Sequence, residues 1–336
     1  MSNTKKHLLI IRLSAMGDVA ILVPVLRVFF KQNKEVKVTI LTQQFFAPIF
    51  KDFKNVTVYS AETKGKHKGF LGLFKLYKEL KKQNFTAIAD IHNVLRSNVL
   101  KLFFFNKKCI QIDKGRKQKK DLISKKNFVQ LKPSYERYAD VFRKLGFTLD
   151  LSNPDFPDKK QIPNSLKNIF KGDSKVVGIA PFAAHQSKMY PLNKMKIVIE
   201  KLSKEFTILL FGGKGDVEHL ETLKINNAIY IVAGKLSFSE ELNTISNLDC
   251  MISMDSGNAH LAAMYGIKVI TIWGVTHPFA GFAPFHQPKD YALLADSTTY
   301  PKIPTSVYGN KYPEEYLTCA GSIEPEKIIT KVKSIL

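Results

Sequence analysis

The stretch Cys250–Gly274 holds the densest set of residues able to do chemistry. An apolar run through Met254 meets Asp255, Ser256 and Gly257. A short helical pattern containing His260 follows, and then a second apolar run, Lys268–Trp273. Strand, polar turn and helix in that order put Asp255, Ser256 and Gly257 at the carboxyl end of a parallel strand and at a helix N-terminus. Backbone N–H groups and the positive end of the helix dipole converge at such a point, which suits a phosphate. Gly274-Val-Thr-His-Pro278 makes a second polar turn after the next strand, on the same sheet edge. His260 reads either as a ligand in the first turns of that helix or as a packing residue.

Three further polar clusters fall at strand ends, where open α/β sheets place their ligands. In Ser14-Ala-Met-Gly-Asp18, Gly17 permits close backbone approach. Asp18 reads as a helix cap or as a general base. In Ala180–Pro191, Lys188 can neutralise a diphosphate and Ser187 can donate to it, unless the lysine is simply solvated. Gly212-Gly-Lys-Gly-Asp216 is a flexible loop whose Asp216 can accept ribose hydroxyls. GxxxxGK[ST], GxGxxG and GxSxG are all missing. No carboxylate pair has glycosidase spacing, and no His/Cys/Asp grouping reads as a metal site.

The elements that must hold these clusters alternate between strand and helix. Strands are predicted at His7–Leu13, Val36–Leu41, Val56–Tyr59 and Phe85–Asp90, then at Val176–Ala180, Phe206–Phe211, Ala228–Val232, Leu248–Ser253 and Lys268–Trp273. A helix runs from the first polar turn to about Gln32. Another covers Gly69–Gln83, with Phe70, Leu73, Leu76, Tyr77 and Leu80 on one face. Tyr135–Leu145 is a helix closed by Gly146, and Glu324–Leu336 an amphipathic one. This alternation predicts an α/β fold of two doubly wound parallel sheets. Asp150–Lys175, with Pro154, Pro157 and Pro163, reads as the linker between them. The domains are then 1–155 and 172–322, with a C-terminal helix at 323–336. Lys101–Lys132 carries eleven Lys/Arg against two Asp and reads as a solvated, partly mobile excursion or as a surface for an anionic acceptor or lipid headgroups.

Composition narrows the class. The 336 residues are 45 % hydrophobic with 24 Phe, which is ample for two folded cores. A net charge of +22, from 51 Lys+Arg against 29 Asp+Glu, draws nucleic acid, anionic membrane surfaces or acidic substrates. The three cysteines are widely spaced and lack any CxxC pattern, which argues for a reducing compartment. Met1–Lys6 is polar and no signal peptide is read there. No apolar stretch is long enough to span a bilayer. The expected location is therefore the cytoplasm, either free or on a membrane face.

Four of these segments together resemble the lipopolysaccharide heptosyltransferases of glycosyltransferase family 9. Ile11-Arg-Leu-Ser-Ala-Met-Gly-Asp-Val19 resembles the family's N-terminal signature, and Asp255-Ser-Gly-Asn-Ala-His-Leu-Ala262 with Gly266 and Gly274–Pro278 its donor signature. Asp90-Ile-His-Asn-Val-Leu-Arg-Ser97 and Cys319 with the final helix also match, in the family's order. The resemblance implies a GT-B fold, two Rossmann-like domains facing across a cleft, with the acceptor side N-terminal and the nucleotide-sugar side C-terminal. It implies inverting transfer of heptose from ADP-heptose to a lipid A–core acceptor, independent of metal and of any cofactor. Asp18 matches the catalytic base. Lys188, Ser187, Asp216 (with Glu218 as a competing acid), Asp255, Ser256, Gly257 and His260 fall on the donor side. Ser14, Met16, Gly17, His92 and Arg96 fall on the acceptor side.

Two substitutions depart from the family pattern: Tyr190 stands where Trp is usual, and Ser256 where Thr is commoner. The Lys188 loop also lacks a further arginine, which leaves the donor open between ADP-heptose and another nucleotide sugar. An Asp at its ordinary pKa of about 3.9 is a weak base at neutral pH, so the base role calls for a desolvated carboxylate. Two other functions compete. One is a family member that binds nucleotide sugar without turning it over. The other is a nucleic-acid-binding protein recruited through 101–132, for which no recognition motif is present; no nucleic-acid partner is expected.

Overall fold

The computed structural model describes residues 6–336, so the polar start at Met1–Lys6 lies, except for Lys6, outside the described residues. Contacts divide the chain into two compact units. One comprises 6–114 and 134–155, the other 115–133 and 156–336.

In the first unit the elements run β1 (His7–Ile11), α1 (Met16–Gln32), β2 (Lys37–Thr42), β3 (Val56–Ser60), α2 (Gly69–Lys81), β4 (Ala87–Asp90), α3 (Leu95–Phe103) and β5 (Lys108–Gln111). Helix α4 (Arg116–Ile123) then groups with the second unit, and α5 (Ser134–Lys144) returns to the first. The strands form one parallel sheet in the order β3-β2-β1-β4-β5. Parallel strands need crossover helices, and these cover both faces, so the strands read as apolar runs without polar alternation. Leu9, Ile11, Leu41 and Ile88 pack on one side with Leu73, Leu76 and Leu80 of α2. Phe29 of α1 meets the rings of Phe142 and Phe147 at 4.8 and 5.2 Å. Of the five residues predicted for the buried face of α2, Leu73, Leu76 and Leu80 are buried and Tyr77 half-buried, whereas Phe70 is 65 % exposed.

The second unit continues with β6 (Val176–Ala180), α6 (Leu192–Leu202), β7 (Thr207–Leu210), α7 (Val217–Glu221), β8 (Ile229–Ile231), α8 (Phe238–Ile245), β9 (Cys250–Met254), α9 (Gly257–Ala263), β10 (Lys268–Trp273), β11 (Ala292–Leu294) and α10 (Pro325–Ile335). Its sheet is again wholly parallel, in the order β11-β10-β9-β6-β7-β8. The tail helix α10 packs through Ile328, Ile329 and Val332 into the core shared with Met195, Val198 and Leu202 of α6. It is part of this unit.

The two parallel α/β sheets expected from the alternation of elements are present. The strongly basic segment departs from expectation: instead of a solvated excursion, 101–132 contains the end of α3, strand β5 and helix α4. Strand β5 is four residues long and opens on Lys108, so its apolar content is too slight to register. Helix α4, Arg-Lys-Gln-Lys-Lys-Asp-Leu-Ile, is held by Leu122 and by the buried stem of Lys119, whose ammonium stands 4.0 Å over the Phe282 ring. Strand β11, three residues at the sheet edge, was likewise too short to be read from the pattern.

One tight contact fixes how α2 sits. His67 is fully buried; its Nδ1 accepts from the Glu62 N–H at 3.0 Å, and its Nε2 lies 3.1 Å from Glu79 Oε2. The Tyr59 hydroxyl donates to the same Glu79 carboxylate, and burial together with that carboxylate pushes the phenol up to about 12. A Cβ on Gly72 would stand 2.4 Å from the His67 carbonyl carbon. Because His67 is anchored at both ring nitrogens, its backbone cannot retreat. Gly72→Ala is therefore expected to destabilise the first unit by about 1–3 kcal/mol, measured as a lowered urea midpoint. An unchanged midpoint would show that the turn yields freely.

Candidate functional site

In both sheets the strand order reverses once, between β1 and β4 in the first unit and between β6 and β9 in the second. Loops leaving the carboxyl ends of two such strands diverge to opposite faces, and the crevice between them is where doubly wound sheets take ligands. Each reversal point here carries an ion pair with at least one buried partner.

At the first, Arg12 follows β1 directly and pairs with Asp18 in the first turn of α1. The arginine side chain is 7 % exposed and the aspartate 30 %. Arg12 also donates to the Ile91 carbonyl at 2.8 Å, and its guanidinium lies 5.8 Å from the centroid of the Tyr138 ring. Burial opposes the guanidinium's charge, but Tyr138, Asp18 and Asp90 outweigh it and hold its pKa above the usual arginine range. The Tyr138 hydroxyl donates to the Asp18 carbonyl at 3.2 Å. Asp18 does not cap α1: the N-cap is Ala15, without a side-chain hydrogen bond. Its carboxylate is oriented by the arginine instead. An acidic group in the first turn also suits the helix dipole.

The other loop at this point is built on Asp90, which is fully buried. Its Oδ1 accepts the N–H groups of His92 (3.0 Å) and Asn93 (2.9 Å), and its Oδ2 accepts from the Gln111 amide at 2.7 Å. His92 is buried, and its Nδ1 faces the Leu13 N–H at 3.4 Å. Burial, with Arg12 and Lys114 adding to it, brings this imidazole down to about 4, so it is neutral at physiological pH. Asp18 and His92 are thus brought to one place, through Arg12 and Leu13. Ser14, Met16 and Gly17 form the half-buried turn into α1, and Arg96 is exposed in the first turn of α3.

At the second reversal point, Lys188 Nζ lies 2.8 Å from Asp255 Oδ2, with side-chain exposures of 13 % and 9 %. The same oxygen accepts from the Thr276 hydroxyl at 2.9 Å. The two predicted polar turns, 255–257 and 274–278, therefore meet at one carboxylate. A carboxylate repels a diphosphate, so the geometry makes Asp255 the group that orients the lysine. The stem of Lys188 is held from beneath by Gly309, where φ is +89° and any Cβ would lie 2.5 Å from the lysine Cδ. Only glycine satisfies both conditions. Ser187 is fully buried and its hydroxyl donates to the Gly309 carbonyl at 2.5 Å, so it braces the lysine loop. Ser256 exchanges a hydrogen bond with Ser253 at 3.0 Å, and His260 is buried within α9.

Asp216 occupies a different part of the same unit. Its Oδ2 accepts the Gly213 N–H at 2.7 Å, closing the glycine loop. It lines a cavity of about 600 Å³ together with Phe182, Met189, Tyr190, His219 and Thr318. The loop that carries Lys188 forms one wall of that cavity through Gln186, Met189 and Tyr190. Tyr190 is fully buried there and donates to the Ile323 carbonyl at 2.6 Å.

Arg12, Tyr138, Thr276 and Gly309 were not singled out by sequence reasoning. Arg12 did leave a signal, a charge interrupting an apolar strand. Thr276 lay inside a segment already marked as polar. Tyr138 and Gly309 act from 120 residues away on Asp18 and 122 on Ser187, with nothing in their neighbours to mark them. Among the described residues no group of three or more His, Cys, Asp or Glu is placed to hold a metal ion.

His277 supplies a pH test. Burial brings it down to about 4, and its neutral Nδ1 accepts the Phe279 N–H at 3.1 Å. Unfolded, an imidazole titrates at about 6.5, so between these values the unfolded chain holds the extra proton. Stability therefore falls as pH drops from about 6.5 toward 4, by up to about 1.4 kcal/mol per pH unit for one such group. His277→Asn keeps an acceptor for Phe279 and is expected to flatten that slope in urea unfolding. An unchanged slope would assign the proton uptake to other groups.

A family model described as glycosyltransferase family 9 (heptosyltransferase) matches residues 73–306. Lipopolysaccharide heptosyltransferase 1 of Campylobacter coli is 24 % identical, over 97 % of this chain and 98 % of that protein. Among solved structures, a family 9 glycosyltransferase from Veillonella parvula superposes with a TM-score of 0.76 at 17 % identity, covering 100 % of this chain and 98 % of the other. The E. coli heptosyltransferase WaaC, solved with ADP, gives 0.71 at 15 % identity over 98 % and 100 % of the two chains. The shared fold is GT-B, with a doubly wound parallel sheet in each unit.

Proposed function

The chain belongs to glycosyltransferase family 9, the heptosyltransferases, and is a glycosyltransferase; from that premise we propose that it moves heptose from ADP-heptose to a lipopolysaccharide-type lipid acceptor, with inversion and without a metal. The observation that carries the reading is the cation fixed at the second reversal point, Lys188 pinned by Asp255 and seated on Gly309. A preorganised, nearly buried cation is what a departing diphosphate requires, because it offers stabilisation without reorganising during the reaction. The nucleoside is assigned to the cavity beside it, where Asp216 accepts the ribose hydroxyls. Ser256, Gly257 and His260 complete the donor contacts.

Asp18 is the general base in this reading. It takes the proton of the acceptor hydroxyl as that oxygen bonds to the anomeric carbon and the bond to ADP breaks. Arg12 and Tyr138 keep its carboxylate aimed. The acceptor is held by Ser14, Met16, Gly17, His92 and Arg96. No helix among the described residues is long and apolar enough to cross a membrane. The acceptor carries the lipid, so we place the protein in the cytoplasm, in peripheral contact with an anionic membrane face.

Asp18→Asn is expected to lower kcat by about 10²–10⁴ and leave ADP affinity intact, read by turnover and calorimetry on the same preparation. Near-wild-type turnover would remove Asp18 from the chemistry. Lys188→Ala is expected to weaken ADP binding at least about tenfold, as charge-assisted contacts of this kind contribute about 1.5–3 kcal/mol. Titration with ADP, UDP, GDP and CMP side by side tests the donor. Preference for ADP is expected, and preference for UDP or GDP would move the reaction to another sugar.

A further inference from the structure

Single exposed apolar residues are common on protein surfaces, but contiguous patches mark contacts. Large apolar side chains are exposed both on α2 and at the end of α3, two elements joined by ring contacts. Phe70 and Leu71 are 65 % and 82 % exposed, and Leu102 and Phe105 are 69 % and 87 %. Phe103 binds the two helices together, its ring 5.4 Å from Phe70 and 5.3 Å from the partly exposed Phe74. The opposite side of α2 is buried in the core, so these side chains are displayed on a rigid support.

Charge identifies the occupant. Residues 63–82 contain seven Lys and one Glu, and residues 95–108 contain three Lys, one Arg and no acid. The single acid, Glu79, faces Tyr59, His67 and Lys66. Lys78 stands 4.7 Å over the Phe74 ring, its ammonium at the rim of the apolar surface. A second copy of this chain would set lysine against lysine. A nucleic-acid strand would use flat aromatic faces, leaving Leu71 and Leu102 without a role. Aromatic and leucine side chains ringed by cations match the boundary between acyl chains and anionic headgroups.

We infer that the α2–α3 face docks the protein on an anionic phospholipid bilayer, with Phe70, Leu71, Leu102 and Phe105 entering the headgroup boundary and the surrounding lysines meeting headgroup phosphates. The inference rests on the proposed reading in one respect, that a lipid-linked acceptor is reached at such a surface; it is independent of which sugar is moved.

The test is flotation of the full chain with vesicles of phosphatidylcholine containing about 30 % phosphatidylglycerol, against phosphatidylcholine alone. The wild type is expected to float with the anionic vesicles and to be released by salt. The triple variant Phe70→Ser, Leu71→Ser, Phe105→Ser is expected to partition about tenfold less or weaker still. Because these side chains are exposed, its thermal midpoint and its ADP titration should match the wild type. Lys75→Glu with Lys108→Glu should weaken binding to anionic vesicles and leave the neutral ones unchanged. Equal flotation of the serine variant and the wild type would overturn the inference. A wild-type dimer dispersed by the serine substitutions, with no vesicle binding, would overturn it in favour of a second copy. Failure to transfer heptose to a soluble, truncated acceptor would count against the proposed reaction, while the flotation result would still judge the docking face.

Discussion

A parallel sheet covered on both faces leaves no room for polar groups along its strands. The strands of both units are accordingly apolar almost throughout, and the polar groups of the candidate site lie at or beyond their carboxyl ends. Reversal of strand order then decides which ends are useful, because only there do adjacent loops part and leave a crevice. Arg12 and Asp90 lie at the carboxyl ends of the two strands that flank the reversal in one sheet, and Lys188 and Asp255 lie in the loops after the corresponding strands of the other. Both ion pairs of the candidate site sit where the topology turns back.

Charges held in such crevices must be paired, since an unpaired buried charge costs several kcal/mol. The two units solve this with opposite emphasis. In the first, the cation is the buried partner and the carboxylate the more exposed one: Arg12 is a positioning residue and Asp18 the group presented. In the second, Asp255 and Thr276 are the supports and the lysine is presented. In the proposed reading one unit supplies the base and the other the cation for the departing diphosphate, the two demands of glycosyl transfer to a hydroxyl. His92 and His277, both kept neutral by burial, add acceptors to these loops without adding charge.

The excess of basic residues divides in a way composition could not show. Part of 101–132 is structural: α4 is anchored by Lys119 and Leu122 on the second unit. Its start, Phe103 to Lys108, belongs instead to an apolar and cationic surface with α2. A segment that reads as one basic block thus serves two units, because β5 and α4 are too short and too polar for periodicity to separate them.

The fold was legible from local pattern. Apolar runs of strand length alternating with amphipathic helices admit few arrangements other than doubly wound parallel sheets, and nine of the eleven strands among the described residues follow from that alternation. The polar segments at 14–18, 180–191, 212–216 and 255–257 were legible too, because polar residues, with glycine in three of the four, interrupt apolar runs there. Residue type at these positions determined the candidate groups: a carboxylate at 18, an amine at 188, a carboxylate at 255. Tertiary structure alone decided their roles. That Asp255 orients Lys188, that Ser187 braces a loop, and that Asp216 lines a cavity walled by that loop all depend on contacts spanning up to 122 residues. The same holds for Tyr138 and Gly309, whose importance rests on a hydroxyl and a missing Cβ meeting distant loops. Sequence determines which groups a chain can present. Packing determines which of them face one another, because pairing energies depend on distance and burial that no local pattern encodes.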